Sequence, residues 1–169
     1  MNVHISPWIV IPACGLFWFA VQLGFSALAL YIGPSQLEPG RPMFRERRFE
    51  RGGKLYEQVF FIRRWKERLP DGAAFWGKGF RKKRLESLDS DYYQTFVRET
   101  CRAELTHWMQ IPPALLFLFT GNWPLTAAML VYAVLVNLPC ILAQRYNRIR
   151  FLRVLHRRQR SVLSEGHGV

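Results

Sequence analysis

The sequence predicts an all-α integral membrane protein with about three transmembrane helices and a cytoplasmic loop region of amphipathic, interfacial character. Apolar residues are clumped into runs at 7–32, 108–119 and 123–143. At ~1.5 Å per residue, the first and third are long enough to cross ~30 Å of hydrocarbon as helices. All 24 Lys and Arg fall outside these runs: none before Gly33, 17 in residues 33–107, none in 108–143 and seven in 144–169. A chain of 169 residues has room for one domain, read here as a single membrane domain over residues 1–169.

The first span, residues 8–32, invites comparison with a signal peptide. Residues 1–7 carry no Lys or Arg, however, and the run exceeds an ordinary signal-peptide core, so a retained span is expected. Gln22 is its one clearly polar deep side chain, suited to an interhelical hydrogen bond. Residues 33–42, rich in Pro and Gly, form an irregular exit loop. In residues 55–69, Leu55, Val59, Ile62 and Leu69 make an approximate helical stripe with Phe60, Phe61 and Trp65, while Arg63, Arg64, Lys66 and Arg68 supply a basic side. That pattern predicts an amphipathic helix in the headgroup region, with a strand over 58–63 as the alternative because Val-Phe-Phe-Ile also has high β propensity. Leu69-Pro70-Asp71-Gly72 is a turn signal. The aromatics Phe75, Trp76 and Phe80 precede Arg81, Lys82, Lys83 and Arg84, which read either as a solvated basic loop or as a clamp for a membrane surface or donor phosphate.

Ser90 or Asp91 caps the next helix, on which Tyr93, Val97, Thr100, Glu104 and His107 recur at steps of four and three and share one face. This helix feeds the second span, residues 108–120. A re-entrant segment is the alternative there, because Pro112-Pro113 removes backbone donors. After a turn at Thr120-Gly121-Asn122 the third span covers residues 123–143. Since basic residues stay on the cytoplasmic side, the N-terminus is expected outside, with a cytoplasmic loop at 33–107 and a cytoplasmic tail at 144–169, in a multi-pass protein of the cell membrane.

The net charge of +12 flanks spans and alternates with aromatics, which points to an anionic membrane surface as counter-charge and not to nucleic acid. Cys14, Cys101 and Cys140 show neither disulfide nor zinc-site spacing. Glu104 and His107, three apart at the cytoplasmic mouth of the second span, can bring a carboxylate and an imidazole together on adjacent turns, the arrangement for taking a proton from an attacking hydroxyl. A surface pair that only reaches for the interface is the competing reading. A di-iron site also uses Glu-x-x-His but needs a second copy, which the sequence lacks, so no metal is expected. If the second and third spans form a hairpin about Gly121-Asn122, His107 comes level with Asn137, and Arg102 and Arg145 flank one rim. Polar groups at that depth are expensive unless they serve a purpose.

Phe49-Glu50-x-x-Gly53-Lys54, Trp65-Lys66 followed by Asp71-Gly72, Arg102-Ala103-Glu104-Leu105-x-His107-Trp108, Asn137-x-Pro139 and Gln144-Arg145-Tyr146-Asn147-Arg148-x-Arg150 occur in order along the chain. As an ordered set they resemble the glycosyl-4,4'-diaponeurosporenoate acyltransferase family of staphyloxanthin-type carotenoid synthesis, from the first span to about Arg158. The resemblance implies transfer of a fatty acyl group to a sugar hydroxyl on a glycosylated carotenoid acid, at the cytoplasmic face of a bacterial membrane.

Physical inference then assigns the roles for an O-acyltransferase. His107 is the general base and Glu104 orients it. Arg102, Arg145 and Arg148 hold donor phosphate or oxyanion charge, and Asn137, Tyr146 and Asn147 supply substrate hydrogen bonds. No cofactor is expected beyond an acyl donor such as a thioester as co-substrate. The partners are a lipid acceptor, that donor and other enzymes of the pathway. The contrasting reading is a noncatalytic lipid-binding or assembly subunit, favoured by the small size and the lack of a Gly-x-Ser-x-Gly nucleophile motif.

Overall fold

A computed structural model describes residues 6–69 and 90–165, and among these every regular element is helical. Five α-helices follow in order: α1 (Pro7–Leu30), α2 (Lys54–Gln58), α3 (Ile62–Trp65), α4 (Ser90–Met109) and α5 (Trp123–Glu165). Short 3-10 segments lie between them at Pro34–Gln36, Arg48–Gly53, Lys66–Arg68 and Pro112–Thr120. The expected turn at 70–72 and the aromatic and basic residues from Phe75 to Arg84 lie outside the described residues.

Two helices are long and apolar enough to cross a membrane, over Trp8–Leu30 and Trp123–Arg157. Only 6% and 22% of the residues in their apolar windows are buried, so most of this apolar surface faces outward. Trp8, Ile9, Ile11, Leu16, Phe19 and Leu28 stand exposed along α1, and Val131 and Leu135 along α5. A continuous exposed apolar surface of this kind calls for lipid contact. Trp8, Phe119 and Trp123 stand exposed near the ends of these elements.

The middle apolar run departs from the expected α-helical span. Pro112 and Pro113 have no N–H with which to continue the ladder of α4, which stops at Met109. The chain restarts as a nine-residue 3-10 helix. At ~2.0 Å per residue that helix reaches ~18 Å, short of ~30 Å of hydrocarbon, so it cannot cross alone. It ends at Gly121, whose φ of 68° supplies the left-handed residue that turns the chain into α5.

The interfacial region departs as well. Residues 55–69 do not make one amphipathic helix or a strand. Phe61 sits at φ 47° and breaks the segment into α2 and α3, with Ile62 fully buried and Val59, Phe60 and Phe61 outside.

α4 packs on α5 and presents the expected face, with Tyr93, Val97, Thr100 and Glu104 all buried. The Tyr93 and Phe96 rings both meet Phe151 at a tilt, and Tyr93 and Val97 join Leu155 in one cluster. Where α1 meets the 3-10 segment and α5, Trp18 packs with Ala114 and Ala133, small residues that let three elements approach, and its indole N–H donates to Met129 Sδ at 3.3 Å. The polar tie expected of Gln22 forms through its main chain: the Gln110 amide donates to the Gln22 carbonyl at 3.3 Å.

Candidate active site

His107 and Asn137, each fifteen residues from Asn122, meet across the hairpin as the sequence predicts, with His107 Nδ1 2.9 Å from Asn137 Oδ1. Asn137 is buried, and its Nδ2 donates to the Ala133 carbonyl at 2.9 Å. That second bond decides the amide's orientation, since flipping it would set two oxygens against each other. An oxygen facing the ring can only accept, so Nδ1 carries a proton and donates it to Asn137 Oδ1. Asn137 therefore orients the imidazole, the role the sequence reading gave to Glu104.

Glu104 lies one turn away on the same face of α4, but its carboxylate serves a buried ion-pair cluster. Arg145 Nη1 donates to Glu104 Oε1 at 2.9 Å, Arg148 Nη2 donates to Oε2, and the Trp108 indole N–H lies 3.4 Å from Oε1. Arg145 Nε also donates to Glu50 Oε1 at 2.6 Å. Two carboxylates and two guanidiniums balance, with Glu50, Glu104 and Arg148 fully buried. The same arginines reach the main chain of the loop before Glu50. Arg145 donates to the carbonyls of Met43 and Arg45 at 3.0 and 3.1 Å, and Arg148 donates to that of Phe44 at 3.2 Å. Both arginines thus clamp this loop onto α5, while Arg148 Nη1 is buried without a hydrogen-bond partner among the described residues.

Glu50 was not singled out for chemistry by the sequence, although it stands in one of the motifs that carried the resemblance. Burial pushes its carboxyl upward, but hydrogen bonds from Arg145, the Tyr56 hydroxyl and the Arg47 amide outweigh this and hold it below the ordinary carboxylate value. Burial, and then the hydrogen bond to Glu50, raise the Tyr56 phenol. The loop reaches α5 because Gly52 and Gly53 take φ 66° and 90°. A Cβ on Gly53 would lie 3.4 Å from the Tyr146 ring, and one on Gly52 would fall within the Arg153 guanidinium.

The remaining candidates divide. Arg102 Nη1 donates to the carbonyls of Ala29 and Ile32 at 2.6 and 3.0 Å, closing the C-terminal end of α1 with a cation where the helix dipole is negative. It fastens α4 to α1 and is engaged there, with Glu99 at 3.1 Å. Tyr146 donates to Glu57 Oε1 at 2.6 Å, and Asn147 Oδ1 accepts from Lys66 Nζ at 3.1 Å. Lys66 also lies 5.2 Å over the Tyr146 ring. Burial lowers the Lys66 ammonium below its usual range. Lys66 appeared in the sequence only as part of a basic face, because nothing local ties residue 66 to residue 147.

Residues 40–157 match the sequence model of the glycosyl-4,4'-diaponeurosporenoate acyltransferase family. A Staphylococcus aureus protein of that name, from strain bovine RF122 / ET3-1, is 33% identical over 148 residues, which cover 86% of this chain and 89% of the relative. Proteins of the same name from S. aureus strains N315 and USA300 are 32% identical over the same shares. No solved structure matches this chain. With most of its length matched by the family and by these relatives, the chain belongs to the glycosyl-4,4'-diaponeurosporenoate acyltransferase family and is an enzyme that transfers acyl groups.

Proposed function

We propose that this enzyme moves a fatty acyl group from an activated donor, such as an acyl thioester, onto a sugar hydroxyl of a glycosylated carotenoid or related glycolipid. It acts at the cytoplasmic face of the cell membrane, with its N-terminus outside and its C-terminus inside. The end of α4 and the 3-10 segment together make the second of three passes. The observation that carries this reading is the His107–Asn137 pair, in which the Asn137 amide oxygen accepts from Nδ1 and fixes the orientation of the ring.

His107 Nε2 takes the proton of the sugar hydroxyl as its oxygen attacks the acyl carbonyl carbon. The carbon–sulfur bond then breaks, and the imidazolium returns the proton to the departing thiolate. On α5, Asn137 lies eight residues before Arg145, ~12 Å nearer the bilayer centre at ~1.5 Å per residue. Both lipid chains therefore stay in hydrocarbon while their polar ends meet the base. Glu104, Arg145 and Arg148 act as a framework that holds the loop at 43–50. Tyr146, Asn147 and Lys66 line the rim where a polar donor head arrives.

The test is lipid mass spectrometry on membranes made with and without the protein, followed by transfer from a radiolabelled acyl thioester to a glycosylated carotenoid acid in nanodiscs. An acylated glycolipid that depends on the protein is expected. Identical lipid profiles together with no transfer would sink the reading.

A further inference from the structure

Three consecutive apolar residues between α2 and α3, Val59, Phe60 and Phe61, stand 59%, 38% and 52% exposed. Phe61 does so from the left-handed region, at φ 47°. For a bulky L-residue that conformation is unfavourable and persists only where the surroundings over-determine it. The elbow is held, not frayed. The Trp65 indole N–H donates to the Phe60 carbonyl at 2.8 Å, and the Arg64 guanidinium lies 5.2 Å over the Phe61 ring. On either side, Tyr56 and Ile62 are buried against Ala143, Tyr146 and Ile149 of α5. The chain thus sets two firm footings and turns three apolar side chains outward between them.

Height along α5 indicates what they meet. With Trp123 at the outer boundary, ~1.5 Å per residue puts Ala143 ~30 Å further in, where hydrocarbon gives way to headgroups. The footings on Ala143, Tyr146 and Ile149 set the elbow at that boundary. Residues 54–69 hold five cations against two carboxylates, and Arg63 and Arg64 stand exposed directly after the tip. Of the carboxylates, Glu57 is engaged by the Tyr146 hydroxyl and Arg150. An apolar tip with cations behind it matches acyl chains lying beneath anionic phosphates.

We infer that Val59, Phe60 and Phe61 form a leaflet anchor, inserted into the cytoplasmic leaflet below its phosphates. It fixes the height of Tyr56 and the Glu50–Arg145 pair over the site. The inference rests on the membrane reading of α1 and α5 and not on the identity of the acyl acceptor.

Nitroxide labels placed one at a time on Val59→Cys and Phe61→Cys in nanodiscs containing anionic phospholipid test it, against the background of the unsubstituted protein with its own three thiols. Leu130→Cys on α5 serves as the bilayer control and Arg48→Cys on the exposed loop as the aqueous control. At 59 and 61, collisions with dissolved oxygen are expected to exceed those with a water-soluble nickel complex, as at 130 and in reverse of 48. Labels at 59 and 61 that follow 48 would overturn the anchor. So would labels shielded from both reagents, which would show the elbow covered by residues 70–89 or by a second copy. Failure of the control at 130 would strike the membrane reading itself, a separately visible result.

Discussion

Replacing Asn137 by Leu keeps a side chain of similar size and removes the acceptor that faces His107 Nδ1. The lost bond is 2.9 Å long, and Asn137 is buried. A hydrogen bond of this kind contributes ~0.5–1.5 kcal/mol, and leaving its donor unsatisfied costs ~1–3 kcal/mol. At ~1.4 kcal/mol per decade, the productive imidazole should lose roughly 3-fold to 150-fold in kcat. KM should change little if, as proposed, Asn137 acts through the imidazole and not on the acyl chain. His107→Ala should lose about 10²–10⁴, the usual worth of a positioned base, with partial rescue by added imidazole. The double variant should be no slower than His107→Ala, since an orienting residue has nothing to act on once the ring is gone. The assay is acyl transfer by purified variants in nanodiscs, with thermal melting as the folding control. Full activity in a folded Asn137→Leu protein would refute the assignment, as would a double variant whose losses multiply.

Glu104→Gln removes the carboxylate facing fully buried Arg148 and should cost ~3–5 kcal/mol. That is a fall of roughly 6–20 °C in Tm at ~2–4 °C per kcal/mol for a domain of this size, and Glu104→Met with Arg148→Met should recover most of it in the same melting assay. Because the folded Glu50 carboxyl is held below its ordinary value of 4.5, its stabilisation should be full above that pH and decline as pH falls through the lowered value. Glu50→Gln should flatten this acid limb, and an unaltered limb would show that other carboxylates govern it. In intact cells an impermeant thiol reagent should label Asn2→Cys and spare Gly168→Cys, and the opposite pattern would invert the topology.

The two long apolar runs were sufficient to read an all-helical chain with two helices long and apolar enough to cross a membrane. The meeting of His107 with Asn137 was also legible, since equal distances from a turn become equal depths in a hairpin. The helix face with Tyr93, Val97, Thr100 and Glu104 followed from spacing alone. Partner choice was not local. Glu104 was paired on paper with its helical neighbour His107, whereas in the fold a buried carboxylate takes the guanidiniums that α5 brings to it, and the imidazole takes an amide. Arg102, Arg145 and Arg148 looked like ligand-binding cations. Packing adds that Arg102 closes the end of α1 and that Arg145 and Arg148 hold the loop at 43–50, through contacts across the fold that local spacing does not indicate. The elbow at Phe61 and the 3-10 course after Pro112 depended likewise on tertiary contacts and missing donors that outweigh helical periodicity.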